Sequence, residues 1–343
     1  MSVQTLVLDY LMSNQRQPIS GQTLADEFSV SRNAIWKAIE QLRQAGYQID
    51  SQRNTGYQLI GVSHQIDSKQ ILHQIDDFWQ DLHIEYHQEV TSTNDLAKQF
   101  NITNRGKNGL FIAEKQSQGR GRRGRSFHSQ LTEGLYFSLT IKPQVENSQD
   151  MPRYTLAAAT AVVQAIEALT GKNIQIKWVN DLFYQGRKIS GILSEAVTDL
   201  ESGGFSAIVI GIGINLSGDF TDASQDVQDV AGTLFGETLP ESFNPNQFLK
   251  VFLEYFGQYH LNLLAPDFMM IYRDHLLGLN QEVTYSINNQ EHRGKIEGID
   301  QDGHLLVRQA NGEMETLLGQ EVHFSSKQFA QQAGAQEETT CED

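Results

Sequence analysis

The apolar residues of this chain change their spacing twice, and that constrains its fold more than any single motif. In the first 45 residues they recur at helical intervals: Val3, Leu6, Val7, Tyr10 and Leu11, then Ile35, Ile39 and Leu42, each set forming one face of a helix. From about 85 to 265 short apolar runs alternate with helical stretches. From 275 to 325 the spacing drops to two, in VTYSI, HRGKIEGI, HLLVRQ and METLL, as in strands with one buried face. Gly303 and Gly312 follow acidic or Asn residues, as hairpin turns prefer. No single period covers the chain. With 343 residues and roughly 100–200 residues per domain, two or three domains are expected. The boundaries are read as 1–62, a linker with a polar helix at 63–84, a mixed α/β domain at 85–270, a small β-barrel at 271–326 and a disordered acidic tail at 327–343.

The first block has the order of a winged helix-turn-helix. Pro18 interrupts the first helix, and Ser20 is placed to cap a second in GQTLADEF. The turn SVSR leads to a helix over 33–45 that Gly46 stops. Two short strands, 47–50 and 56–60, then flank Arg53-Asn54-Thr55-Gly56. Ser31, Arg32, Asn33, Lys37 and Arg43 fall on the exposed side of the third helix. Arg and Asn there suit guanine and adenine edges, and Trp36 either packs or touches the DNA backbone. The block holds five basic residues (Arg16, Arg32, Lys37, Arg43, Arg53) and five acidic ones (Asp9, Asp26, Glu27, Glu40, Asp50). A neutral module has little pull on phosphate. A winged helix kept for packing or partner binding therefore stays open beside a DNA reader.

The whole formal charge of −16 thus lies beyond residue 60. It argues against non-specific coating of nucleic acid. No apolar run of about 18 residues is present, so no membrane span is expected. The start, MSVQTLVLDYLMSNQRQ, has neither a basic n-region nor a small-residue cleavage site, so no secretory signal is expected. The single cysteine, Cys341, excludes a disulfide framework. A reducing, cytoplasmic setting is expected.

Within the central region the strands are read at 84–87, 109–114, 135–141, 174–178, 188–197 and 207–215, with helices at 153–170 and 248–264. Five segments there can carry chemistry. In QSQGRGRRGR glycines fall at 119, 121 and 124 and arginines at 120, 122, 123 and 125. With Lys115, eleven positions hold five of the 26 basic residues and no acid. Such a loop is costly to order and its guanidiniums repel until an anion arrives. Arg is a bidentate partner for phosphate or carboxylate. A disordered basic tract or an RNA-binding arm is the alternative. KWVND ends a strand in Asn180-Asp181, which is a functional pair or an Asx turn. In RKISGILSE, Lys188 opens an apolar strand and needs an anionic partner if buried; otherwise it is solvated. GIGIN leaves one strand face bare at Gly211 and Gly213, open to a flat ligand or to another backbone, unless it marks a strand bend. TSTND reads as a helix cap that can also present hydroxyls and N–H groups.

Taken in order, STND, QSQGRGRRGR, KWVND, RKISGIL and GIGIN, with an N-terminal winged helix and a C-terminal β-domain, resemble the bifunctional biotin–protein ligase and biotin operon repressor family over roughly residues 5–325. The resemblance implies an α+β architecture: a winged helix-turn-helix, a mixed α/β ligase domain like the class II synthetases, and a small SH3-like β-barrel. It implies that ATP and biotin give biotinyl-5′-adenylate. The biotinyl group then passes to a lysine of the biotin carboxyl carrier protein of acetyl-CoA carboxylase. An adenylate-bound homodimer represses at operator DNA. By resemblance Ser92, Thr93, Asn94 and Gln116 face the biotin head group, and Arg120, Gly121 and Arg122 close over it. Arg123 and Arg125 belong to the same adenylate loop. Lys188 meets the biotin carboxylate, and Gly191, Gly211 and Gly213 leave room for its rings. Asn215 holds adenine, while Asn180 and Asp181 lie near the nucleotide, Asp181 with Mg²⁺. The sequence departs from the family at Val179, where proline is common, and at Ser126-Phe127-His128, where a Trp-Phe pair is frequent. No tryptophan follows Trp178 to stack on adenine, which leaves Leu234 and Phe235 as candidates. A ligase without repressor function, a ligand-sensing transcription factor and a lipoate ligase are the competing readings. The last lacks the arginine–glycine loop.

Overall fold

A computed structural model describes residues 2–14, 17–44, 47–52, 55–61, 65–73, 75–131, 133–145, 150–198, 204–287, 290–319 and 322–324. The wing-turn residues Arg53 and Asn54, the helix stop Gly46 and the tail with Cys341 lie outside the described residues. The chain divides into two compact units: residues 1–73 with 240–249, and residues 74–239 with 250–343.

In the first unit α1 (Val3–Ser13), α2 (Gly21–Glu27) and α3 (Arg32–Gln44) precede a hairpin of β1 (Gln48–Gln52) and β2 (Gly56–Gly61) and a single turn, α4 (Ser68–Ile71). Three serines start the three helices. Ser2 accepts from Thr5 N, Ser20 from Thr23 N and Ser31 from Ala34 N, each satisfying an otherwise orphaned donor. The helical-period residues Val7, Leu11, Leu24, Ile35, Ile39 and Leu42 meet Tyr47, Ile49 and Leu59 in one core. Segment 240–249 joins this unit through Asn246, whose Oδ1 accepts from Asp67 N and whose Nδ2 donates to Gln65 O, both at 2.8 Å. The polar helix expected within 63–84 is only α4 and, in the second unit, a 3₁₀ turn at Asp77–Trp79. That turn is placed by tertiary burial: Trp79 is 0% exposed and donates its Nε1–H to Leu253 O at 2.8 Å.

The second unit is built on β3 (His83–Val90), α5 (Thr93–Thr103), β4 (Gly109–Gln116), β5 (Glu133–Ile141), α6 (Met151–Thr170), β6 (Gln175–Lys177), β7 (Asp181–Tyr184), β8 (Arg187–Thr198), β9 (Phe205–Ser217), α7 (Gln225–Gln228), the later part of α8 (Pro245–Leu261) and α9 (Asp267–Asp274). Seven strands form one sheet in the order β3-β4-β5-β9-β8-β7-β6. Among the described residues of this sheet only β3 and β4 run parallel. The alanine-rich face of α6 is buried, and Thr155 of α6 donates to Ser194 Oγ of β8 at 2.8 Å. The strand β7 and the helix α9 were not separated out in the sequence. The C-terminal strands β10 (Glu282–Ile287), β11 (Gln290–Ile299), β12 (Leu305–Gln309), β13 (Met314–Leu317) and β14 (Val322–Phe324) make an antiparallel sheet ordered β13-β12-β11-β10-β14. No pairing of β13 with β14 closes it into a barrel among the described residues. Trp178 Nε1 donates to Gly303 O at 3.0 Å, and Arg153 Nη2 to Gln301 O at 2.8 Å, tying this sheet to the rest of the unit. Among the described residues no helix is long and apolar enough to cross a membrane.

Candidate functional site

Cross-strand register brings the separated motifs together. Gly213 of β9 pairs with Gly191 of β8, Gly191 with Asp181 of β7, and Asp181 with Lys177 of β6. The four lie in one row across the sheet. Above that row opens a cavity of about 370 Å³. Ser92, Thr93 and Asn94 line it from the start of α5, Gln116 from the end of β4, and Arg120, Gly121, Arg122, Arg123 and Arg125 from the loop. Asn180, Asp181, Lys188, Gly191, Gly211, Gly213 and Asn215 complete the residues assigned by resemblance. All of them reach the same cavity.

One end is a wall of small polar side chains. Ser92 occupies the N-cap position of α5, yet its side chain makes no capping bond, so its hydroxyl is not spent on the helix. Thr93 N donates to Gln116 Oε1 at 2.8 Å, with Thr93 Oγ1 3.1 Å from the same oxygen. Gln116 Nε2 donates to Ser129 Oγ. Asn94 Nδ2 donates to Glu195 at 2.7 Å, and its Oδ1 meets Ser138 Oγ at 2.5 Å.

The bare face of β9 serves protein side chains first. A Cβ at Gly211 would lie 2.1 Å from Asn94 Oδ1, and one at Gly213 2.4 Å from Phe127 Cε1. Phe127 also covers Gly191, where a Cβ would come within 3.0 Å. The Phe127 ring therefore covers strand that had been expected to lie open.

The arginine–glycine loop is ordered, and its guanidiniums are spread over separate acceptors, contrary to the expectation of mutual repulsion until an anion arrives. Arg120 grips Asp95 with both nitrogens, at 3.0 and 2.8 Å. Arg122 donates to Asn180 Oδ1 at 3.1 Å and to Gly319 O at 2.6 Å, and Arg123 to Val322 O at 3.2 Å. Burial and, after it, the neighbouring Arg123 still lower the Arg122 pKa, and Asp181 opposes the shift.

Lys188 does have the anionic partner its position demanded: its Nζ lies 2.7 Å from Asp181 Oδ1. Burial works against the Asp181 charge, but Lys188, Lys177 and Arg122 outweigh it and hold the carboxyl below its ordinary range. Lys177, absent from the expected site, is buried beside them and donates to Phe324 O at 2.9 Å. Burial lowers its pKa to about 8; Asp181 opposes the shift, and Lys188 and Arg125 add to it. At the other end Asn215 Nδ2 donates to Gly232 O at 3.1 Å, while its buried Oδ1 has no hydrogen-bond partner. A buried unpaired acceptor is costly and fits a ligand donor such as an exocyclic amine.

Neither Leu234 nor Phe235 lines the cavity; Leu234 is buried in the core instead. The apolar wall beside Asn215 comes from Phe220, Val227, Val230 and Ala231. The helical spacing of 227, 230 and 231 was the signal that could have found it. Gly319, Val322 and Phe324 also reach the cavity from the C-terminal sheet, and no sequence pattern pointed to them.

In the first unit Ser31, Arg32, Asn33, Trp36 and Lys37 are all exposed at the start of α3, with Trp36 52% exposed. Ser31 also caps the helix. Arg43 is not on that face: it is half-buried, donating to Ile49 O from Nε and Nη2 and pairing with Glu40.

Three family models match: the HTH domain at residues 3–58, the biotin/lipoate A/B protein ligase family at 86–215 and the biotin protein ligase C terminal domain at 278–325. The bifunctional ligase/repressor BirA of Bacillus subtilis is 33% identical over 297 residues, covering 86% of this chain and 90% of that protein. The protein of the same name from Escherichia coli is 30% identical over 316 residues, covering 90% and 93%. Among solved structures, the biotin protein ligase from Aquifex aeolicus in complex with biotin and ATP aligns with a TM-score of 0.57 at 27% identity, over 71% of this chain and 99% of that one. With that likeness spanning nearly the full length of its relatives, the chain belongs to the biotin–protein ligase family of the bifunctional ligase/repressor BirA.

Proposed function

We propose that the chain joins biotin to ATP as biotinyl-5′-adenylate and passes the biotinyl group to a lysine of a biotin carboxyl carrier protein of acetyl-CoA carboxylase. The observation that carries this reading is the Lys188–Asp181 pair. It lies in a cavity lined by a neutral polar wall, the arginine loop and Asn215 with its unpaired acceptor. A cyclic urea suits hydroxyl and amide side chains, a triphosphate suits the arginines, and an adenine amine suits Asn215. In this reading residues 1–62 serve DNA binding, 85–270 catalysis and 271–326 the C-terminal domain.

No enzyme nucleophile is required. A biotin carboxylate oxygen attacks the α-phosphate in line, and the bond to pyrophosphate breaks. Lys188 exchanges Asp181 for the carboxylate and holds it in place. Arg122, Arg123 and Arg125 offset charge on the phosphates, so that rate comes from positioning and electrostatics. The carrier amine then attacks the acyl carbonyl and AMP leaves. ATP enters as its Mg²⁺ complex. Two carboxylates line the cavity, Asp181 and Asp226; Asp181 would hold that ion, and so small a ligand set fits a cation delivered with phosphates rather than a resident cage.

The exposed start of α3 supports a second role in the same chain: a homodimer of the adenylate-bound form on biotin operator DNA. Dimerisation doubles the contacts of a module with little charge of its own. Both roles place the chain in the cytoplasm. Incubation with biotin, ATP and an apo carrier domain tests the enzyme: a biotinyl mass gain on one lysine is expected, and none would refute ligation. A gel shift on the biotin-operon promoter with biotinyl-adenylate tests repression; the same shift without adenylate refutes the ligand-driven dimer, and no shift leaves a ligase alone.

A further inference from the structure

Behind the polar wall lies a charged pair that does not line the cavity. Glu195 of β8 accepts Asn94 Nδ2 on one oxygen and Lys98 Nζ on the other, each at 2.7 Å. Lys98 stands one helical turn beyond Asn94 on α5. Asn94 touches Ser138 Oγ at 2.5 Å, Ser138 touches Thr93 Oγ1 at 2.6 Å, and Thr93 Oγ1 lies 3.1 Å from Gln116 Oε1. Those three oxygen–oxygen contacts have only two hydroxyl protons between them.

The carboxylate resolves the shortage. Glu195 can only accept, so Asn94 must turn its NH₂ toward it and its carbonyl toward Ser138. The Ser138 proton, for which Asn94 Oδ1 and Thr93 Oγ1 compete, then goes to Asn94. Thr93 donates its own proton to Gln116 Oε1 at 3.1 Å, so the Thr93–Ser138 contact is the one left without a proton. The Ser138 proton points toward Glu195 and the Thr93 proton toward Gln116. Thr93 Oγ1, which lines the cavity, presents lone pairs only.

Resting on the biotin reading above, we propose that Glu195 and Lys98 are positioning residues that fix the polarity of this chain, so that the wall accepts from a ureido N–H and rejects a ligand lacking that donor. With Glu195 made an amide, Asn94 is free to flip and the Ser138 proton is free to turn to Thr93 Oγ1, where it occupies a lone pair the ureido N–H would use.

Calorimetry on the full chain measures the Kd of biotin and of its two N-methylated ureido analogues for wild type, Glu195→Gln, Lys98→Met and Lys98→Arg. In Glu195→Gln biotin should weaken about tenfold or more, and discrimination against one N-methyl analogue should narrow by a similar factor. The KM for biotin should rise far more than kcat at saturating biotin falls. Lys98→Arg should recover most of what Lys98→Met loses. A Glu195→Gln chain whose biotin Kd and discrimination stay within about twofold of wild type overturns the positioning role. A wild-type chain that binds no biotin overturns the proposed function instead. If Glu195→Gln does not fold, Lys98→Met, which keeps the carboxylate and removes its ammonium partner, decides the same comparison.

Discussion

Lys188→Ala should weaken biotin by about 10- to 30-fold and ATP by less than about threefold. A hydrogen bond to a charged group is worth roughly 1.5–3 kcal/mol net, which sets the upper range near a hundredfold. Two features of the site trim it. Lys188 already holds Asp181 at 2.7 Å, so the biotin carboxylate gains a change of partner and not a new ion pair. The side chain is 27% exposed, which screens the charge. Losing Lys188 still leaves Asp181 facing Lys177 and Arg122, so the nucleotide end keeps its balance. Calorimetric titration of the variant with biotin and with a non-hydrolysable ATP analogue measures both effects. Asp181→Asn provides the complementary arm: removing the competitor for Lys188 should tighten biotin, and the two changes together should be non-additive. Equal losses for biotin and ATP, or additive effects in the double variant, would refute the assignment of Lys188 to the carboxylate.

Arg122→Gly gives up the bonds to Asn180 and Gly319 O; biotinyl-adenylate should escape sooner and label unrelated proteins, and an unchanged adenylate half-life would show that the loop does not retain it. His260, 1% exposed, is held by burial at a pKa of about 4, against 6.5 ordinarily. Between those values the unfolded chain binds the extra proton, so stability should fall as pH drops from 6.5 toward 4, by up to roughly 3 kcal/mol. His260→Leu should flatten that slope in thermal melts, and parallel pH profiles would count against it. Trp36→Ala should cost less than about 0.5 kcal/mol of stability because the ring is exposed, yet weaken operator binding in a gel shift; full binding would remove Trp36 from the DNA face.

Helical and alternating periods in the sequence located α1 to α3, α6, the long strands β8 and β9 and the C-terminal hairpins, because burial on one face imposes a period wherever an element is long. Short elements carry too little period to read. The 3₁₀ turn at Asp77–Trp79 exists because one indole is buried 174 residues away from its acceptor in sequence, and β7 is only four residues long. Arg43 looked exposed by helical phase, but its long side chain folds back onto Ile49 O, which phase alone does not foresee.

The motif residues and their chemical types are properties of the sequence: the loop of four arginines, the lysine opening β8, the bare glycines of β9 and the hydroxyl-rich start of α5. Their partners are not. Lys188 reaches Asp181 diagonally between β7 and β8, whose register pairs Lys188 with Phe183 and Asp181 with Gly191. Asn94 finds Glu195 across 101 residues, and Gly213 seats Phe127 because loop and strand converge there. A side chain's type is local, but what it donates to, and with which charge beside it, depends on register and on the closing of loops over a sheet. Those are set by the packing of the whole core, so only the tertiary structure decided the polarity, the pairing and the walls of the site.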